Sequence, residues 1–185
     1  KKGVDATLVD RKDYFEVTFA ILRNVTAPKA LGDTSRKRYR DFISGSFIQG
    51  SIESMNHQFV KLDNGDVIRF KQAVIASGSR YPSLPLAKSN SQLDFSSRNQ
   101  EMLAEHASLA AAQSVLVIGG GAVGVEFAGE IASAFPNKRI TLSHSSDTLL
   151  NNMKPKAQRK ALEQLKAKEI NVKLNRRFVK EGDVY

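Results

Sequence analysis

Three glycines in the run Ser-Val-Leu-Val-Ile-Gly-Gly-Gly-Ala-Val-Gly-Val-Glu-Phe-Ala-Gly-Glu-Ile, residues 114–131, have the spacing needed to hold a pyrophosphate. Gly119, Gly121 and Gly124 form a G-x-G-x-x-G turn between a continuous apolar run at 115–118 and a predicted helix at 125–135. Gly119 lets the chain leave a strand in a tight turn. Gly121 has no Cβ to keep the backbone away from a phosphate, and Gly124 lets the helix pack close to the strand. The helix then aims its free N–H groups and positive dipole end at the anion. The chemistry implied is binding of a dinucleotide.

A second strand is predicted at 139–143, completing a β-α-β unit, and His144 ends it 20 residues beyond Gly124. A site for NAD usually carries Asp or Glu there, accepting hydrogen bonds from the adenosine ribose. A carboxylate would repel a 2′-phosphate, whereas a histidine does not. Asp147 lies close enough in sequence to serve as ribose acceptor, so NADH and NADPH both stay open. The plainer alternative is that His144 is a solvated strand-end residue touching nothing.

The elements around this turn alternate. A strand at 6–9 ends in Asp10, and an acid at a strand tip can hold the ribose of an adenine dinucleotide. Residues 47–70 read as a β-meander whose Asn64-Gly65 pair predicts a two-residue type I′ hairpin. A strand at 73–76 is expected to run into Ser77-Gly78-Ser79, where small side chains let backbone approach a ligand. Residues 80–99, with Tyr81-Pro82-Ser83-Leu84-Pro85, form a connection. A helix at 97–112 places His106 on or beside its apolar face, where a structural role outweighs a catalytic one. A helix at 156–168 and a strand at 170–174 continue the alternation, and no repeat of solenoid period occurs.

With 185 residues and 41% apolar content, the chain suits one or two domains with a real core. It has no apolar run of about 18 residues that would span a membrane as a helix. Zero cysteines exclude disulfides, cysteine metal sites and a redox-active cysteine pair within these residues. The net charge of +9 concentrates in Arg36, Lys37, Arg38 and Arg40, on a predicted helix at 34–42, and in Lys154, Lys156, Arg159, Lys160, Lys166 and Lys168 on a later one. Such patches are either solvated faces or attractors of anionic partners, including a membrane surface. Apart from Tyr39 and Phe42 they lack interleaved aromatics, which argues against direct nucleic-acid recognition.

Taken in order, Leu-Val-Asp-Arg-Lys-Asp-Tyr-Phe at 8–15, Val-Ile-Ala-Ser-Gly-Ser at 74–79, Val-Ile-Gly-Gly-Gly-Ala-Val-Gly-Val-Glu at 117–126 and Thr-Leu-Ser-His-Ser at 141–145 resemble the flavin-dependent pyridine-nucleotide oxidoreductases. Within them the match is to the apoptosis-inducing-factor-like branch, of the ferroptosis-suppressor, NAD(P)H:quinone oxidoreductase type. The resemblance runs over nearly the whole chain. It implies an α/β fold made of parts of two Rossmann-like units with a β-meander insertion. Residues 1–80 would be a partial FAD-binding domain, 81–112 a linker and helix, and 113–185 a partial NAD(P)H-binding domain.

By that resemblance Asp10 holds the FAD ribose with Lys12 near it, and Ile48, between Phe47 and Gln49, passes the adenine edge. Ala76, Ser77 and Gly78 stand in for the family's Ala-Thr-Gly strand end beside FAD. Gly119, Gly121, Ala122, Val123 and Gly124 cradle the NAD(P)H pyrophosphate. Glu126 points toward the nicotinamide, or is only a first-turn acid favoured by the helix dipole. Hydride passes from NADH or NADPH to the flavin and electrons pass to a quinone-like acceptor. The cofactor carries this chemistry, so the protein need supply no catalytic acid, nucleophile or metal.

Such enzymes open with their own glycine-rich turn for FAD and carry a later Gly-Asp motif and a C-terminal domain; the expectation is that these 185 residues are a piece of a longer enzyme or a gene product reduced to a remnant. A cytoplasmic or peripheral-membrane location goes with it. The alternative is a non-catalytic nucleotide-binding or basic interaction module, while disulfide reduction lacks its cysteine pair.

Overall fold

The computed structural model describes residues 5–81 and 87–179; residues 82–86 of the expected proline-rich connection lie outside them. The chain forms two compact units, one built from the chain up to Ile21 together with Leu31–Met102, the other from Leu22–Ala30 together with Leu103 onward.

In the first unit β1 (Thr7–Asp10) pairs in parallel with β4 (Ser46–Gln49), setting Val9 opposite Ile48 and Asp10 opposite Gln49. The short β2 (Tyr14–Glu16) and β3 (Arg36–Arg38) pair antiparallel, with Glu16 opposite Arg36. Strands β5 (Ile52–Met55), β6 (Phe59–Leu62) and β7 (Val67–Arg69) form the meander. The expected meander over 47–70 is therefore smaller, because β4 is claimed by β1.

Its turn also differs from expectation. The Leu62 N–H donates to the Asp66 carbonyl, enclosing a three-residue loop in which Gly65 has φ +92° and Asn64 stays at negative φ. A type I′ turn needs positive φ at both central residues; a longer loop with one left-handed glycine does not.

The helix expected at 34–42 is absent. The chain there passes through a 3-10 turn (Gly32–Ser35), strand β3 and a second 3-10 turn (Tyr39–Asp41). Strand periodicity sends Arg36 inward and Lys37 outward. Buried Arg36 donates to Asn99 Oδ1 at 2.5 Å and lies 3.7 Å from Glu16, while Arg38 faces Asp13 and stacks 4.4 Å from the Phe95 ring centre. Two cations of the supposed basic patch thus have internal partners.

The strand expected at 73–76 is likewise absent. Val74 and Ile75 are 92% and 77% exposed, and no strand among the described residues pairs with them. Extended backbone becomes a stable strand only when a ladder satisfies its polar groups.

Helix α3 (Phe95–Ala111) brings Arg98, fully buried, into this unit. Its guanidinium donates to Glu16 at 2.9 Å and to Glu101 at 2.5 Å, and Ser89 donates to the other oxygen of Glu101. Beside this cluster lies buried Tyr14, whose hydroxyl donates to the Gln92 carbonyl and whose ring meets Phe95 edge-on.

In the second unit β8 (Ser114–Ile118), α4 (Ala122–Ala134), β9 (Arg139–Ser143), α5 (Pro155–Ala167) and β10 (Asn171–Lys173) alternate, giving a parallel sheet in the order β10-β9-β8. Parallel neighbours require crossover connections, which α4 and α5 supply. Val117, Ala128, Ile131, Ile140, Leu142, Leu149, Leu165 and Ile170 form the core. The short α1 (Ile21–Thr26), followed by α2 (Pro28–Leu31), places Arg23 2.7 Å from Glu130 of α4. His106 Nδ1 donates to the Val25 carbonyl at 2.7 Å and its ring lies against Phe135, the structural role expected of it. No helix among the described residues is long and apolar enough to cross a membrane.

Removing the Arg98 guanidinium leaves the buried Glu16 carboxylate and the partly buried Glu101 carboxylate without it. Arg98→Ala is expected to destabilise the chain by about 3–5 kcal/mol, read as a lower urea midpoint at unchanged m-value. A loss below about 1 kcal/mol, the range of exposed pairs, would show that these ions are solvated.

Candidate dinucleotide-binding site

The site is built where β8 gives way to α4. Gly119 has φ +110°, which side-chain-bearing residues rarely adopt, and its N–H donates to the Ser143 carbonyl at 2.8 Å, tying the turn to the end of β9. Gly124 is constrained by space: a Cβ there would lie 2.0 Å from the Gly119 carbonyl oxygen. Gly121 is constrained by nothing in the protein, since a Cβ on it meets no atom within 4 Å. That open volume faces the beginning of α4, where Gly121 itself is the N-cap and offers no side-chain acceptor. The Val125 N–H closes the first helical bond, to Gly121, so the N–H groups of Ala122, Val123 and Gly124 precede it and remain for an anion. These residues fit a pyrophosphate.

Sequence reading passed over Gly120. A Cβ there would meet Leu149 at 2.5 Å and the His144 ring at 2.8 Å. The Gly120 N–H donates to His144 Nδ1 at 3.1 Å, and its carbonyl accepts from the Leu150 N–H at 2.8 Å. The constraint comes from residues distant in sequence, so no local pattern reveals it.

His144 is therefore not a free strand-end residue. Its Nδ1 accepts a backbone hydrogen bond, which requires that nitrogen to be unprotonated. Its Nε2 is buried without a hydrogen-bond partner. Its own N–H donates to the Lys173 carbonyl and its carbonyl accepts from the Arg176 N–H. Asp147 is exposed nearby in the chain. Glu126 is exposed on α4, but because the helix starts at Ala122 rather than 125 it falls in the second turn, not the first.

In the first unit Asp10 sits at the end of β1. Its Oδ1 accepts from the Lys12 N–H at 3.0 Å and its Oδ2 from the Tyr39 hydroxyl at 2.8 Å. A carboxylate has about four acceptor positions, so two stay available for ribose hydroxyls. Tyr39 also escaped sequence reading; burial, then the Asp10 carboxylate, hold its hydroxyl proton on, and its ring packs 5.0 Å from Phe47. Burial lowers the basicity of the Lys12 ammonium, partly offset by Glu16.

Asp10, Lys12 and Ile48 are thus brought together by β1 and β4. Ala76, Ser77 and Gly78 lie exposed outside any strand, with Gly78 at φ +71°, and no described hydrogen bond ties them to Asp10. A concavity of about 600 Å³ lined by Ala110, Phe135, Lys138 and Arg139 lies at the other end of the β8–β9 pair; Lys138 is engaged there, donating to the Ala110 and Ala112 carbonyls.

The glycine geometry separates binding from folding. Gly121→Val is expected to weaken NADH binding by about tenfold or more with a stability change near the helix-cap scale of about 1 kcal/mol. Gly124→Ala should cost about 1–3 kcal/mol through overpacking. Fluorescence titration with NADH and urea unfolding of both variants check this; unchanged affinity in Gly121→Val would remove the cradle.

Similar proteins agree with this architecture. The chain is 31% identical over 173 residues to ferroptosis suppressor protein 1 of Xenopus tropicalis, covering 92% of this chain and 46% of that one. It is 29% identical over 194 residues to apoptosis-inducing factor homolog A of Dictyostelium discoideum, covering 97% and 46%. The chain thus spans less than half the length of these relatives. Among solved structures, NDH2 of Plasmodium falciparum in complex with NADH superposes with a TM-score of 0.64 at 16% identity, over 92% of this chain and 43% of that one. Residues 23–183 match the pyridine nucleotide-disulphide oxidoreductase description. With its parallel sheet and glycine turn in place, this chain belongs to the pyridine nucleotide-disulphide oxidoreductase family.

Proposed function

We propose that this chain supplies nucleotide-binding parts of an FAD-dependent NAD(P)H oxidoreductase that passes electrons to a quinone-like acceptor. The observation that carries the reading is the open volume over Gly121, facing unpaired N–H groups of α4 in a turn rigidly pinned from behind. NAD(P)H would lay its pyrophosphate there. FAD would be held in the first unit through the ribose at Asp10, whose carboxylate is oriented by the Tyr39 hydroxyl and the Lys12 N–H. When bound, the flavin supplies hydride acceptance and onward electron transfer. The residues of this chain bind and orient the nucleotides. With no cysteine in the chain, its own residues supply no thiol relay. The quinone rests on the likeness to ferroptosis suppressor proteins.

The test is absorbance of the purified chain with added FAD, then anaerobic NADH or NADPH. Retained flavin bands that bleach on adding a nicotinamide nucleotide support the reading. Asp10→Ala is expected to weaken FAD binding by about tenfold, the loss of one hydrogen bond to a charged group. A chain that binds NAD(P)H but not FAD would instead be a nucleotide-binding module, and one that binds neither overturns the proposal.

A further inference from the structure

At the end of β9 the structure offers a ribose hydroxyl no acid on the strand tip: His144 stands there, and its one acceptor nitrogen is taken by the Gly120 N–H. Cations occupy the same edge. After β10 the chain turns sharply through Asn175, at φ +54°, and is laced to the His144 loop by three hydrogen bonds: Asn175 N–H to Ser146, Arg176 N–H to the His144 carbonyl, and Ser143 Oγ to the Arg176 carbonyl. Lys173, Arg176 and Arg177 are exposed, and none has a carboxylate at ion-pair distance among the described residues. The one acid in the loop is Asp147, also exposed.

Three cations against one carboxylate at the place where the adenosine 2′ position arrives favour a phosphate over a hydroxyl. Of the three, Lys173 and Arg176 are both bonded through their backbone directly to His144, and of these two only Arg176 carries a guanidinium, which can grip a phosphate through two parallel N–H bonds. We propose that Arg176 is a specificity-determining residue that makes this site prefer NADPH to NADH by pairing with the 2′-phosphate. The inference rests on the reading that the Gly119–Gly124 turn binds a dinucleotide.

The experiment is calorimetric titration of the 185-residue chain with NADP+ and with NAD+, which differ only in the 2′-phosphate. The expected result is about tenfold tighter binding of NADP+, a preference that shrinks as salt rises. Arg176→Ala should abolish the preference while leaving NAD+ affinity and the unfolding midpoint unchanged, Arg176→Lys should restore part of it, and Arg177→Ala should keep most of it. Equal binding of the two ligands overturns the selectivity and leaves the dinucleotide site standing. Loss of the preference in Arg177→Ala instead of Arg176→Ala overturns the residue assignment. Binding of neither ligand overturns both this inference and the reading beneath it.

Discussion

The contact between the Gly119 carbonyl and the backbone of Gly124 sets the geometry of the candidate site. With only 2.0 Å between that oxygen and the place a Cβ would take, α4 approaches β8 as closely as backbone atoms permit. This approach aims the first N–H groups of the helix into the turn. It would accomplish little if the turn could move. Gly119 is tied to Ser143, Gly120 to His144 and Leu150, and the 144–150 segment is in turn anchored in the core by its own Leu149. The cradle is held by bonds behind it, which leaves its front free.

The first unit is organised by charge at its centre. Glu16, Arg36, Arg98 and Glu101 lie buried or nearly so, joined by Asn99 and Ser89. An ionic cluster of this kind recovers its desolvation cost only when the geometry is complete, so it tolerates few alternative arrangements. It specifies how β2 and β3 register with α3. Nearby, the same short stretch of chain supplies Tyr39 to Asp10.

Local chemistry was legible in the sequence and long-range chemistry was not. Gly119 and Gly124 announce themselves because each answers a local constraint, a positive φ and a carbonyl five residues back, and Gly121 because the same short motif carries it; the periodicity of 139–143 and 156–168 follows from one buried face per element. Gly120 looked interchangeable because its neighbours, His144 and Leu149, come from the far side of a crossover. The helix expected at 34–42 failed for the same reason: a run of four cations reads as a solvated face until Glu16 and Asn99 are known to stand across from Arg36. Val74 and Ile75 have strand-forming side chains, yet a strand needs a neighbouring ladder, and none among the described residues provides it. Tyr39 had no signal at all, since a tyrosine that orients a carboxylate 29 positions away looks like any other aromatic.

Two strand ends in this chain occupy comparable places and differ in chemistry. β1 ends in Asp10, an acceptor with spare capacity held in place by two donors, and that arrangement suits hydroxyl groups. β9 is followed at once by His144, whose acceptor nitrogen faces inward to the glycine turn and whose other nitrogen is enclosed. A residue committed to bracing Gly120 cannot also orient a ribose, so recognition at that edge falls to whatever the adjoining backbone delivers. What it delivers is cationic. The tip of β9 thus trades a direct ligand contact for a rigid turn, and the polarity of the edge passes from the second strand of the sheet to the segment that follows the third.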